Sequence, residues 1–410
     1  MRMSLRAVNT EGISTNNGGL MVIYMIILLP FLSISGVAKL LDAGQYQAYQ
    51  STAFVLLAGL VILKARHLRL NKFTLLYIAY QLWVLLVSTK NNGLNLGLWV
   101  VVFSGIFIVM LMQVDMPVIV RALTWLTVSA VIINLVYMFY LGSYGQQEYF
   151  VGGKNSFSIF MVPSAFLLII NTLLRKKTLN TGTYLYVALV TFCILWGGSA
   201  TGMVTAVAMI AGLFWITRKN PKIKTVMTVM IIMNVLLVFF TKVLIDSGLW
   251  RGFTSMLGKD ISLTSRTGIW ESVVKMLRNN WLMGCGRGTR IVFVGQWSKR
   301  SVVSETHNFL LEILFNGGVI GLMLYALFFR EAIRKLNVKY MHHRMVYLAI
   351  LVVLVNGLAE SVTNKTIVNL FIGMAYAMAA RAPVEESCDQ DAHTLSEGDG
   401  PLPAANKTGV

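Results

Sequence analysis

The sequence predicts an all-α, polytopic integral membrane protein of about twelve spans. Three observations carry that expectation. Hydrophobic residues make up 56% of the 410 residues and charged ones only 13%, with a mean hydropathy of +0.68. A soluble domain of this composition would lack the polar residues to cover its surface. Apolar runs long enough to cross a bilayer recur from Met21 to Ala380, whereas a β-barrel would show short alternating segments. Basic residues gather in every second connection between those runs.

In chain order the spans are expected near Leu20–Leu41, Ala53–Leu63, Phe73–Ser88, Leu94–Val114, Val118–Leu141, Phe157–Leu174, Tyr184–Trp196, Met203–Thr217, Thr225–Ile245, Phe309–Phe329, Val346–Ser361 and Ile367–Ala380. Arg2 and Arg6 precede the first, which reads as an uncleaved helix. Lys64, Arg66, Arg69 and Lys72 follow the second; Arg175, Lys176 and Lys177 the sixth; Arg218, Lys219, Lys222 and Lys224 the eighth; Arg330, Arg334, Lys335, Lys339 and Arg344 the tenth. This positive-inside pattern puts both termini in the cytoplasm and the connection 246–307 outside. It also accounts for most of the net charge of +18, so no nucleic-acid partner is implied. Residues 1–381 read as one membrane domain. Residues 382–410, with Glu385, Glu386, Asp389, Asp391, Glu397 and Asp399 among small and polar residues, read as a disordered acidic cytoplasmic tail. Matched glycine- or proline-broken spans, the mark of an inverted-repeat transporter, are not evident.

The outer connection carries its own positive charge. From Asp246 to Glu305 it holds nine lysines and arginines against four acids, a net +5, and an anionic ligand is the natural reason. Ile269, Val273 and Leu277 beside Trp270 and Val274 predict an amphipathic helix over Gly268–Trp281 lying on the membrane surface, with Arg266 just before its N-terminus. Gly284, Gly286 and Gly288, flanked by Arg287 and Arg290, form either a phosphate-cradling nest or a flexible turn. His307 heads the next span beside Asn308. It is either an interfacial cap or a proton-transfer group working with the three arginines. Glu312 and Glu360 lie in or beside apolar spans, and Glu360 is expected to pair with Lys365. His342 and His343 read as solvated. Cys193, Cys285 and Cys388 are scattered, which predicts neither a disulfide framework nor a metal centre.

The run SRTGIW, GCGRG, THNFLLEILFNGGVIG resembles the O-antigen polymerase and O-antigen ligase superfamily of bacterial envelope glycosyltransferases, with weaker agreement at Gly153–Asn155 and Ser199–Gly202. The resemblance implies transfer of a glycan from a polyprenyl-diphosphate carrier at the outer face of the bacterial cytoplasmic (inner) membrane, with no metal or other cofactor. It implies that Arg266 binds the diphosphate and that His307 serves as base or orienting group for the acceptor hydroxyl. Arg287 or Arg290 supplies a second positive contact, with Gly286 and Gly288 beside it; Asn308, Glu312 and Lys154 are further candidates. Ligases tend to carry an arginine after the seventh span where this chain has Ala200 within GGSATG, so polymerisation of repeat units stands ahead of ligation to a lipid A core. A flippase of lipid-linked sugars is the rival from another class. The implied partners are an undecaprenyl-diphosphate-linked oligosaccharide, membrane lipids, a chain-length regulator and a flippase.

Overall fold

Capping and proline decide where the helices begin and break. The computed structural model describes residues 18–141, 148–153, 157–176, 178–216, 223–246, 266–294, 300–334, 336–363 and 365–380, which are mostly helical. The expected first span is broken into α1 (Gly18–Leu28), a single 3-10 turn and α2 (Ser35–Leu40), because Pro30 has no N–H to continue the helix. Asp42 closes a capping box with Gln45, so α3 (Ala43–Leu63) starts well before Ala53. Asn71 caps α4 (Lys72–Asn92). The expected fourth and fifth spans form one continuous helix, α5 (Leu96–Val136), kinked at Asp115 two residues before Pro117. Pro117 bends this helix without ending it.

The remaining helices are α6 (Phe157–Lys176), α7 (Thr181–Trp196), α8 (Ala200–Ile216), α9 (Ile223–Asp246), α10 (Arg266–Asn280), α11 (Phe309–Arg334), α12 (Met341–Asn356) and α13 (Thr366–Ala380). Two antiparallel hairpins depart from the all-α expectation: β1 (Glu148–Tyr149) with β2 (Gly152–Gly153), and β3 (Ile291–Val294) with β4 (Arg300–Val303). Among the described residues α3, α4, α5, α6 and α11 are long and apolar enough to cross a membrane, and the other apolar helices are shorter. The acidic tail and Lys154 lie outside the described residues.

α5 packs against α1, α3 and α6; α12 packs against α6 and α8; α4 runs along α11. Polar contacts between elements include Lys64–Asp115, Lys72–Glu331 at 3.6 Å and Arg344 Nη1 to the Ile216 carbonyl at 3.3 Å. Others are Lys39–Glu148 at 2.7 Å, Asn92 Nδ2 to Thr289 Oγ1 at 2.9 Å, Lys365–Glu305 at 3.2 Å and Arg266–Glu360. His343 is buried, not solvated, and its Nδ1 accepts the Asn337 N–H at 2.9 Å.

Two features position the segment 266–286. First, the apolar face of α10 is not laid on lipid. Ile269, Trp270 and Val273 are buried with Cys285, Ile291, Phe293, Leu311 and Phe315, so the helix is docked on protein by the same residues that made it look interfacial. Second, α11 is broken at Gly318 (φ 63°, ψ −161°), and residues 281–286 seal the break. The carbonyls of Trp281 and Leu282 accept the N–H groups of Val319 (2.9 Å) and Ile320 (3.3 Å). The Phe315 carbonyl accepts from Cys285 (2.6 Å) and Gly286 (3.3 Å), and Trp83 Nε1 donates to the Gly317 carbonyl at 2.8 Å. Irregular backbone at membrane depth is tolerated where protein satisfies it in this way.

Candidate functional site

The connection between α12 and α13 organises the site. α12 ends at Asn356 and does not run on to Ser361 as expected. Gly357 lets the chain pass α11 closely: its carbonyl accepts the Phe309 N–H at 2.7 Å, and a Cβ there would lie 2.8 Å from that of Phe309. The connection then carries Glu360, which is 4% exposed. An isolated carboxylate buried this deeply would cost several kcal/mol. Glu360 is instead shared by two partners: Oε1 accepts from Arg266 Nη2, and Oε2 faces His307 Nδ1 at 3.3 Å. The expected partner Lys365 is paired with Glu305 at 3.2 Å. A residue at the start of α10, a residue at the head of α11 and a turn beyond α12 thus meet on one carboxylate.

His307 is held in an uncommon backbone state. Its φ of 51° lies in the left-handed region, which costs an L residue with a Cβ roughly 1–2 kcal/mol. Its neighbours impose that conformation. Asn308 caps α11, with Oδ1 accepting the Leu311 N–H at 3.0 Å, while its Nδ2 donates to the Leu358 carbonyl at 3.1 Å. On the other side the Thr306 carbonyl accepts from Trp270 Nε1 at 3.0 Å. The His307 N–H itself donates to Ser361 Oγ at 2.9 Å. The imidazole keeps 28% side-chain exposure. With Nδ1 facing a carboxylate, the neutral ring carries its proton on that side and leaves Nε2 as the basic nitrogen. Arg266 keeps further guanidinium donors beyond the one spent on Glu360.

The other candidates make separate contacts. The N–H groups of Cys285, Gly286 and Arg287 donate to Phe315 and, for Arg287, to Ser88 Oγ at 2.8 Å. The nest expected at the glycines is therefore turned onto protein acceptors. Gly284 and Gly286 have φ of 83°, and a Cβ on them would lie 2.5 Å from the Gly318 nitrogen and 2.6 Å from Ser88 Cα. They are close-packing glycines, whereas Gly288 has the same φ and open space around it. Arg290 is exposed. Glu312 is buried in α11, and its Oε2 accepts the Thr363 N–H at 3.2 Å. Burial pushes the Cys285 thiol pKa up, which disfavours the nucleophilic thiolate.

Fold and site together define a helical membrane protein with a histidine–carboxylate–arginine cluster where the start of α10, the head of α11 and the α12–α13 connection meet. Residues 185–326 match a family model described as O-antigen ligase, and this match supports the resemblance to the O-antigen polymerase and ligase superfamily. The match indicates a membrane glycosyltransferase of the ligase or polymerase type, acting on lipid-linked glycans. It takes in Arg266, Arg287, Arg290 and His307 and stops short of Glu360. No curated protein matches the chain.

Proposed function

We propose that the protein polymerises polyprenyl-diphosphate-linked oligosaccharide repeat units into a surface polysaccharide. The observation that carries the reading is the single buried carboxylate shared by Arg266 and His307. An acceptor hydroxyl attacks the anomeric carbon of the lipid-linked glycan, its proton passes to His307 Nε2, and the bond to the diphosphate breaks. Glu360 orients the ring and stabilises the imidazolium that forms. The polyprenyl diphosphate leaves with added negative charge, which the remaining donors of Arg266 and the exposed Arg290 stabilise. Asn308 fixes the head of α11 and thus the position of His307.

In this reading the helices make about twelve spans, the kinked α5 counting as two. The termini are cytoplasmic, and 246–307 faces the opposite side of a bacterial inner membrane. Ala200, where ligases tend to carry arginine, favours polymerisation; the description of the matching family model favours transfer to a lipid A core. Reconstitution with purified lipid-linked repeat units decides among these. Longer glycans on the same lipid are expected. Transfer only to a supplied lipid A core would assign ligation, and passage across the bilayer without new bonds would assign transport. Thiol labelling from the outer side should reach a cysteine at Ser298 and not one at Asn220, and the reverse would invert the topology.

A further inference from the structure

Arg287 is the arginine the proposed reaction leaves unused, and it points into a built site of its own. A small cavity lies where α4, α5 and α13 meet the glycine turn, lined by Tyr77, Gln81, Gly105, Arg287, Thr366 and Asn369. Within this lining, Arg287 Nε and Nη2, Gln81 Oε1 and Asn369 Oδ1 are buried with no hydrogen-bond partner, and Gln81 and Asn369 are 3% and 7% exposed. Such groups are costly if left unpaired. Size decides what can serve them. The cavity measures about 10 Å³, close to the roughly 10–15 Å³ that one water requires and far too small for a phosphate or a sugar. The donors and acceptors are of complementary kinds. One water, with two lone pairs and two protons, can bridge the two guanidinium N–H groups to the two carbonyl acceptors, with the equally unpartnered Tyr77 hydroxyl lining the same cavity.

We propose that Arg287 is a positioning residue that locks the glycine turn into the helix bundle through one enclosed water, bridging its guanidinium to Gln81 and Asn369. The same residue is already tied to α4 at both backbone groups: its N–H donates to Ser88 Oγ at 2.8 Å, and its carbonyl accepts from Asn92 Nδ2 at 3.0 Å. The adjacent Cys285 and Gly286 donate to Phe315 next to the break in α11. The water socket therefore holds the segment that closes that break.

Cys285 reports on this lock directly, because it is 4% exposed while the turn is seated. In purified full-length protein carrying Cys193→Ser and Cys388→Ser, a small thiol reagent should modify Cys285 slowly. Arg287→Ala should raise that rate about tenfold or more, as local opening of the turn becomes easier. The double variant Gln81→Leu, Asn369→Leu removes the two acceptors while keeping Arg287. It should raise the rate in the same direction by severalfold, and it remains informative if Arg287→Ala fails to fold. A high-resolution map of the protein in nanodiscs should show a water within hydrogen-bond distance of the guanidinium. Unchanged Cys285 modification in both folded variants, or a collapsed cavity or bound anion in the map, would overturn the proposal. None of these readouts involves glycan synthesis, so their outcome is independent of the activity proposed above.

Discussion

Asp115, Glu331 and Glu360 are buried carboxylates each shared by two side chains, and the contrast between Asp115 and Glu360 separates a staple from a site. Asp115 sits at the kink of α5, where its Oδ2 accepts from the Tyr24 hydroxyl and pairs with Lys64. Its partners are a phenol and an ammonium, neither of which exchanges protons readily near neutral pH. Glu360 is held by an arginine and by a histidine whose φ is 51° and whose second ring nitrogen is uncommitted among the described contacts. Both carboxylates are buried and ion-paired, so burial and pairing alone do not mark function. The distinguishing features are a partner able to take a proton and a backbone held in a costly conformation for it.

The sharpest way to break the comparison is at His307. His307→Ala should lower polymer formation by about 100- to 10,000-fold with protein abundance near normal, the range that loss of a general base produces. His307→Gln separates roles: inactivity supports proton transfer, and retained activity would reduce His307 to an orienting group. Glu360→Gln should follow, with turnover down by roughly 100-fold while the donor still binds, because the ring loses its orientation and the countercharge of the imidazolium. Normal turnover in that variant would make Glu360 no more than a second Asp115. Arg266→Lys should cost about tenfold, since an ammonium cannot reproduce the planar fork that serves a carboxylate and a diphosphate at once. Asp115→Asn is expected to leave activity per folded molecule within about twofold and to lower stability by about 1–2 kcal/mol, read as a reduced Tm. A large loss of turnover there would erase the distinction between the two nodes. Deleting 382–410 should have the smallest effect of all, with glycan synthesis essentially intact.

Much of the helical framework was legible because apolar runs act locally, whereas the caps that set helix starts went unread. Asp42, Asn71 and Asn180 each accept a backbone N–H at the start of the helix they precede. Proline was harder to read, since the sequence does not say whether it ends a helix, as Pro30 does, or bends one, as Pro117 does. Within the site, Arg266 and His307 stood out by residue type and position. Their common partner did not, because Glu360 lies 94 residues from Arg266 and 53 from His307, and a nearer lysine offered a simpler pair. The glycine turn misled for a related reason. A run of glycines states that the backbone is free to approach something, and the acceptors it approaches come from Ser88 and Phe315, distant in sequence.

The break at Gly318 has a consequence for biogenesis. A helix entering lipid alone must satisfy its own backbone, yet Val319 and Ile320 donate to Trp281 and Leu282 and the Phe315 carbonyl waits for Cys285 and Gly286. Phe309–Arg334 is therefore a poor independent insertion unit. The segment that completes it is synthesised first, so the ribosome delivers the seal before the helix that needs it, and a chain lacking 281–286 would present quality-control proteases with an unsealed span.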